Sequence, residues 1–189
     1  MSTNVMIVGV GGQGSLLASK LLGHLLLHQG LDVKVSEVHG MSQRGGNVVT
    51  YVRFGEKVYS PVINQGEADI IVSFETLEAA RWVDCLKPEG KIIVSTQRID
   101  PMPVITGQAQ YPGELIAKME GRGFSVEAID GLRLAEEAGS AKSVNLVLMG
   151  ALSKHFDFPE SAWQEAIDAC VPKKVLDLNR KAFALGRSL

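Results

Sequence analysis

The stretch Val5-Met6-Ile7-Val8-Gly9-Val10-Gly11-Gly12-Gln13-Gly14-Ser15 decides the fold. Residues 5–10 are an apolar run that ends in glycines, the pattern of a buried first strand. Residues 15–29 then carry helical spacing. Leu17, Leu21 and Leu25 form one stripe, and Lys20, His24 and His28 form another. Gly30 supplies the stop. Between strand and helix, Gly9, Gly11 and Gly14 fit G-x-G-x-x-G in the setting that gives the motif its meaning. A strand, a tight glycine turn and a helix in that order open an α/β sheet.

The rest of the chain keeps the alternation. Strands are expected over residues 32–38, 47–54, 68–74, 90–96 and 124–129, and helices over 75–86 and 112–121, the latter with Pro112 at its start. Gly55-Glu56, turning toward Lys57-Val58-Tyr59, reads as a hairpin with the strand before it. Residues 104–106 read as a short extended piece. From Leu132 onward about three helical segments are expected, with Pro159 starting one and Pro172 breaking or beginning another. The expected fold is one domain over residues 1–189. It is an open, mostly parallel Rossmann-like sheet with flanking helices, one β-hairpin as the antiparallel exception, and a helical C-terminal segment packed back on the sheet.

Composition excludes several classes of function. The 189 residues carry 19 Lys and Arg against 21 Asp and Glu, so a net charge of −2 offers no electrostatic case for nucleic acid. No apolar run reaches the roughly 20 residues of a membrane helix. Met1-Ser2-Thr3-Asn4 has no basic region, so a signal peptide is not expected and a cytoplasmic location is. Cys85 and Cys170 are the only cysteines and read as buried, reduced thiols. They form no CxxC pair and cannot supply the four thiolates of an iron–sulfur cluster.

The glycine loop by itself leaves three readings open. It is a phosphate cradle in a dinucleotide enzyme, a cofactor contact inside a larger assembly, or a turn that lets the helix pack closely on the strand. The dinucleotide version needs an acidic residue about 20 positions on, at the end of the second strand. Asp32 lies too early for this and Glu37 somewhat late. A second loop does not belong to that reading. Ser36-Glu37-Val38-His39-Gly40-Met41-Ser42-Gln43-Arg44-Gly45-Gly46 packs a His, a Gln, an Arg and three glycines into eight residues directly after a strand. Arg44 is a fixed planar cation, and Gly45 and Gly46 permit the turn that would present it. His39 titrates near neutral pH, and Gln43 offers both a donor and an acceptor. The competing reading makes Arg44 an internal ion pair, to Glu37 for example, and His39 a satisfied loop residue. Other features have plain readings. His24 and His28 have the spacing of a helical metal pair without an evident third ligand, which favours a solvated face. Asn145, in an otherwise apolar helix over 144–152, reads as a buried hydrogen-bonded side chain. Trp82 and Trp163 read as core or interface anchors.

The two loops together resemble the gamma subunit, or gamma domain, of the pyruvate and 2-oxoacid ferredoxin oxidoreductases. The matches are Gly9 through Gly14, Gln43-Arg44-Gly45-Gly46 with a strand after it, Glu67-Ala68-Asp69, and Asn145 in a C-terminal helix. The form of the second loop, with Val52-Arg53-Phe54-Gly55 and Tyr59-Ser60-Pro61, is most similar to the indolepyruvate branch of that family. The resemblance implies a larger alpha subunit that carries thiamine diphosphate and iron–sulfur clusters, with ferredoxin as electron acceptor and coenzyme A as co-substrate. The implied reaction is oxidative decarboxylation of an aryl pyruvate to an arylacetyl-CoA. It implies that this chain holds no cofactor and has no activity by itself. Gly9, Gly11, Gly12, Gln13, Gly14 and Glu37 would stand around a cofactor. His39, Gln43, Arg44, Gly45, Gly46 and Asn145 would meet substrate or partner, with Asn145 facing the glycine loop. No catalytic residue is assigned. Relatives acting on pyruvate, 2-oxoglutarate or branched 2-oxoacids remain alternatives. So does a stand-alone NAD-dependent or coenzyme A-binding protein.

Overall fold

The computed structural model describes residues 2–39 and 46–189. Six strands form one sheet in the order β2-β3-β1-β4-β5-β6 among the described residues. They are β1 (Ser2–Val10), β2 (Asp32–His39), β3 (Asn47–Gly55), β4 (Ala68–Ser73), β5 (Leu86–Ser95) and β6 (Ser125–Ile129). β1, β4, β5 and β6 pair in parallel, whereas β3 runs antiparallel to both β1 and β2.

Side chains alternate across β1. Val5 and Ile7 enter one apolar layer and Met6 and Val8 the other, all four without solvent contact. The first layer packs under α1 (Ser15–His28), α5 (Gly131–Ala138), α6 (Val144–Ser153), α7 (Glu160–Cys170) and α8 (Leu176–Arg187). The second packs under α2 (Thr76–Trp82) and α4 (Leu115–Gly121). α6 is apolar nearly all round and buried along its whole length, which is how the sequence marks a central helix. It lies against α8 backbone to backbone. A Cβ on Gly186 would stand 1.9 Å from the Val147 carbonyl oxygen, and one on Gly150 would stand 2.1 Å from that of Phe183. Trp163 is fully buried, with ring centroids 5.7 Å from Phe183 and 6.5 Å from Phe156. It is the core anchor that the sequence suggests.

Several expected details take another form. The consecutive antiparallel strands are β2 and β3; residues 57–59 are not a strand. The Val58 N–H is satisfied instead by the Asp32 carboxylate at 2.9 Å. Lys34 holds the other Asp32 oxygen at 2.5 Å. Those two hydrogen bonds, the Lys34 one foremost, take the Asp32 carboxyl down to about 2. The segment expected to be extended at 104–106 belongs to a helical turn, α3 (Met102–Ile105), because Pro101 and Pro103 preset the φ of a helix start. α4 begins at Leu115 and not at Pro112. The C-terminal part has four α-helices where about three were expected. Cys85 and Cys170 are half-buried and lie in apolar layers on opposite faces of the sheet. No helix among the described residues is long and apolar enough to cross a membrane.

Candidate functional site

The carboxyl ends of β1, β4 and β5 lie side by side, and the chain leaves β1 for one face of the sheet and β4 for the other. In open α/β sheets this is the point where a crevice opens for a ligand. Here Gln13 spans it. Its Oε1 accepts the Val10 N–H at 2.7 Å. Its Nε2 donates to the Phe74 carbonyl at 3.0 Å and to Gln97 Oε1 at 3.3 Å. Gln13 thus joins the loops that follow three strands.

Gly14 is the N-cap of α1 with φ +88°, a backbone conformation that side chains disfavour. A Cβ there would also meet Asn145 Nδ2 at 2.6 Å. Asn145 is 3% exposed and donates from Nδ2 to the Gly14 carbonyl at 3.3 Å. It therefore faces the glycine loop, as the resemblance implied, and the bond is also the one a buried Asn requires. Gly9 leaves room for Gln13 and Phe74, the first of which would lie 2.8 Å from a Cβ. Gly12 stands at the exposed crest of the loop with open space around it. The Gly11 N–H donates to the Gly46 carbonyl at 2.9 Å, so the two glycine-bearing loops touch through backbone.

The glycine loop is a ridge between two clefts. One, of 340 Å³, is bounded by Gly11, Gly12, Gly14, Ser15, Leu16, Glu37 and Val48. The other, of 430 Å³, is bounded by Gly12, Gln13, Gly14, Gln97, Ala141, Lys142 and Val144. The first turn of α1 carries no acidic residue, so its N–H groups favour an anion. Glu37 accepts from Thr50 Oγ1 at 3.3 Å. Its place in the sheet weakens the dinucleotide reading. In that fold the acidic strand lies beside β1. Here β3 is inserted, and Glu37 pairs with Thr50, which pairs in turn with Ile7. At about 4.8 Å per strand, Glu37 is one strand too far from the loop and level with a residue below it.

His39 closes β2 as its last residue. Gly40, Met41, Ser42, Gln43, Arg44 and Gly45 lie outside the described residues. On α1 the His24 and His28 rings lie with centroids 4.2 Å apart.

Sequence reasoning missed a second polar cluster. Glu75 is 1% exposed at the end of the apolar run of β4. It caps α2 by accepting the Glu78 N–H at 2.9 Å. It also accepts the Ile99 N–H at 3.1 Å and the Tyr111 hydroxyl at 2.6 Å. Tyr111 Oη in turn accepts the Leu77 N–H at 3.1 Å. Burial first, then the Glu75 carboxylate, hold the Tyr111 phenol well above its ordinary range. Arg98 lies 4.3 Å above the Tyr111 ring and pairs with Asp100 at 2.6 Å. This clasp ties residues 98–111 over the carboxyl edge, beside a cleft of 520 Å³ lined by Thr76, Arg98, Tyr111 and α4. The one signal for it in the sequence is Glu75 itself, a carboxylate set directly after an apolar run and three residues before Glu78.

Comparison with known proteins gives a consistent picture. The family model described as pyruvate ferredoxin/flavodoxin oxidoreductase matches residues 4–189. The indolepyruvate oxidoreductase subunits IorB of Thermococcus kodakarensis and Pyrococcus horikoshii are each 46% identical over 188 residues, 97% of this chain and 93% of theirs. The crystal structure of pyruvate oxidoreductase subunit PORC from Thermotoga maritima superposes with a TM-score of 0.74 at 21% identity, over 99% of this chain and 96% of that one. At that identity the likeness shows the fold.

Proposed function

Because this chain belongs to the pyruvate ferredoxin/flavodoxin oxidoreductase family, we propose that it is the gamma-type subunit of an indolepyruvate ferredoxin oxidoreductase, a cytoplasmic enzyme, with residues 1–189 acting as one domain. The observation that supports the substrate is the 46% identity to IorB subunits over nearly the full length of both chains. The complete enzyme would convert an aryl pyruvate, coenzyme A and oxidised ferredoxin to arylacetyl-CoA, carbon dioxide and reduced ferredoxin. Thiamine diphosphate and iron–sulfur clusters belong to the large alpha subunit in this reading. This chain's own thiols do not fit a cluster. There are two, on opposite faces of the sheet, where a cluster takes four close together.

What this chain contributes is a shaped edge. Gly11, Gly12 and Gly14 present backbone to an anionic group such as a coenzyme A phosphate, with the positive end of α1 behind them. Gly9, Gln13 and Asn145 hold the loop in that shape, and Glu37 borders one cleft. His39, Gln43, Arg44, Gly45 and Gly46 form the loop that meets the 2-oxoacid carboxylate or the partner. Gly46, at its end, is bonded to Gly11 of the first loop.

Reconstitution tests the reading. The purified chain should be colourless and should not turn over indolepyruvate with coenzyme A and an electron acceptor. Adding the large subunit loaded with thiamine diphosphate should restore turnover, with indolepyruvate preferred over pyruvate and 2-oxoglutarate. Turnover by the single chain would overturn the subunit assignment. Preference for another 2-oxoacid would overturn the substrate alone.

Arg44→Ala should lower kcat/KM of the reconstituted enzyme by a factor of about 10 to 100, the loss of one charge-assisted contact, with little change in melting temperature. Arg44→Lys should recover only part of it, because an ammonium cannot reproduce the planar fork. If Arg44 is only an internal ion pair, Arg44→Ala will melt earlier and keep full activity per folded complex.

A further inference from the structure

Among the described carboxylates around α2, Glu78 is the one whose bonding is incomplete. It is 5% exposed. Its Oε1 accepts from Arg81 Nε at 3.0 Å, while its Oε2 is buried without a hydrogen-bond partner among the described residues. The neighbouring buried carboxylate, Glu75, has all its bonds made within the chain. A buried carboxylate oxygen with no donor is costly and is kept only for a reason. Burial pushes the Glu78 carboxyl up, Arg81 opposes this, and the Glu75 charge adds to it.

Glu78 borders a cleft of 330 Å³ between the end of β1, the start of β3 and α3. The walls are Val10, Leu77, Ile99, Pro101, Met102 and Pro103. Arg81, half-exposed, stands at the mouth. Met102 and Ile105, one helical turn apart on α3, are 63% and 66% exposed and extend the apolar surface outward. The charges specify what fits. Glu78 pairs with one guanidinium, Arg81, and the Glu75 carboxylate stands close enough to act on it; Arg98 is already engaged with Asp100 and the Tyr111 ring. One negative charge is left over. The complementary group is a long side chain with an aliphatic stem and a cationic head. The terminal carboxyl torsion of Glu is soft, so Oε2 can turn to meet it.

We propose that this cleft is a docking point for the large partner subunit, which inserts a lysine or arginine side chain. The head binds Glu78 Oε2, the stem lies along Met102 and Pro103, and Ile105 meets apolar surface beside it. The inference rests on the reading of this chain as a subunit. A small ligand would fill the cleft against Met102 and leave the exposed Ile105 uncovered, whereas a protein surface covers both.

Titrating purified large subunit into the fluorescently labelled full chain, at low and at high salt, tests this. Glu78→Gln keeps size and an acceptor and removes the charge. It should weaken assembly about tenfold or more and flatten its salt dependence, while the melting temperature of the chain alone stays level or rises. Met102→Ser, at an exposed position that cannot unfold the chain, should weaken assembly by a smaller factor. Wild-type affinity in Glu78→Gln overturns the proposal. So does a Glu78→Gln chain that melts earlier but assembles normally, since Glu78 would then serve an internal contact. If the unaltered chain does not bind the large subunit at all, the subunit reading fails, and the salt series of the variants never arises.

Discussion

Gly186→Ala is expected to lower the melting temperature of the chain by roughly 10 °C. The sign is what makes this informative. Alanine is the better helix former by about 1 kcal/mol, so at an ordinary helical position the change would stabilise. Here the added methyl would lie 1.9 Å from the Val147 carbonyl oxygen and 2.7 Å from its carbon. Neither is the far end of a flexible side chain. α6 and α8 must separate, and α6 is buried on all sides, so the strain passes into the core. Overpacking of this kind costs about 3 kcal/mol. For a chain of this length each kcal/mol moves the melting point by roughly 2–4 °C. Gly150→Ala, on the facing helix, should act in the same direction, and the double variant should cost less than the sum because both press on one contact. Calorimetry of the three variants checks this. A rise in melting temperature for either single variant would mean that the helices do not meet backbone to backbone.

Gly14→Val should be as damaging, for two separable reasons. The left-handed backbone at Gly14 costs a side chain about 1–2 kcal/mol, and more when the side chain is β-branched. The Cβ also collides with Asn145 Nδ2. Gly14→Ala and Asn145→Ala separate the terms. Asn145→Ala alone loses two hydrogen bonds, to the Gly14 carbonyl and from the Leu146 N–H, about 1–2 kcal/mol. In that background Gly14→Ala meets only the Cβ of residue 145, at an ordinary 3.6 Å, and retains the backbone strain. A coupling of about 1 kcal/mol between the two positions is therefore expected, with the double variant more stable than additivity predicts. Additive losses in a denaturant-melt cycle would remove Asn145 from its place against the loop. In the assembled enzyme, Asn145→Ala that folds normally yet needs more coenzyme A would show the loop shape to be functional as well as structural.

The first strand, its glycine turn and α1 are legible in the sequence because everything that sets them is local: an apolar run, a turn and a stripe at helical spacing. The place of β3 is not. Alternation in residues 47–54 says which side chains share a face and nothing about which strands lie beside them. Its position between β1 and β2 is fixed by pairing across the chain, such as Val52 with both Val5 and Val35. For the same reason Tyr59, which looks like the far end of a hairpin, is 88% exposed. Asn145 shows the value of the resemblance. Composition marks it only as a polar residue in an apolar helix, and its contact with Gly14 spans 131 residues. The bonding of Glu75 and Glu78 and the close backbone approach at Gly150 and Gly186 are not read from the sequence. A carboxylate is read as exposed unless its donors are known, and the donors to Glu75 come from three separate stretches of chain. A glycine inside a helical pattern reads as a small weakness until the helix that presses on it is found.

The antiparallel strand has one more consequence. Because β3 returns directly from β2, the ladder from Asp32 opposite Gly55 to His39 opposite Val48 is complete without residues 40–45. Gly46 is fixed again by its bond to Gly11. The two residues that flank the span, His39 and Gly46, are thus both held by described contacts. Doubling the length of such a span costs only about 0.6 kcal/mol in closure entropy, and no strand has to slip to admit it. The span bearing Gln43 and Arg44 is therefore expected to be replaceable. Grafting the equivalent span of a relative with a different oxoacid into this chain should leave the scaffold's melting behaviour intact while the chemistry presented at the edge is exchanged.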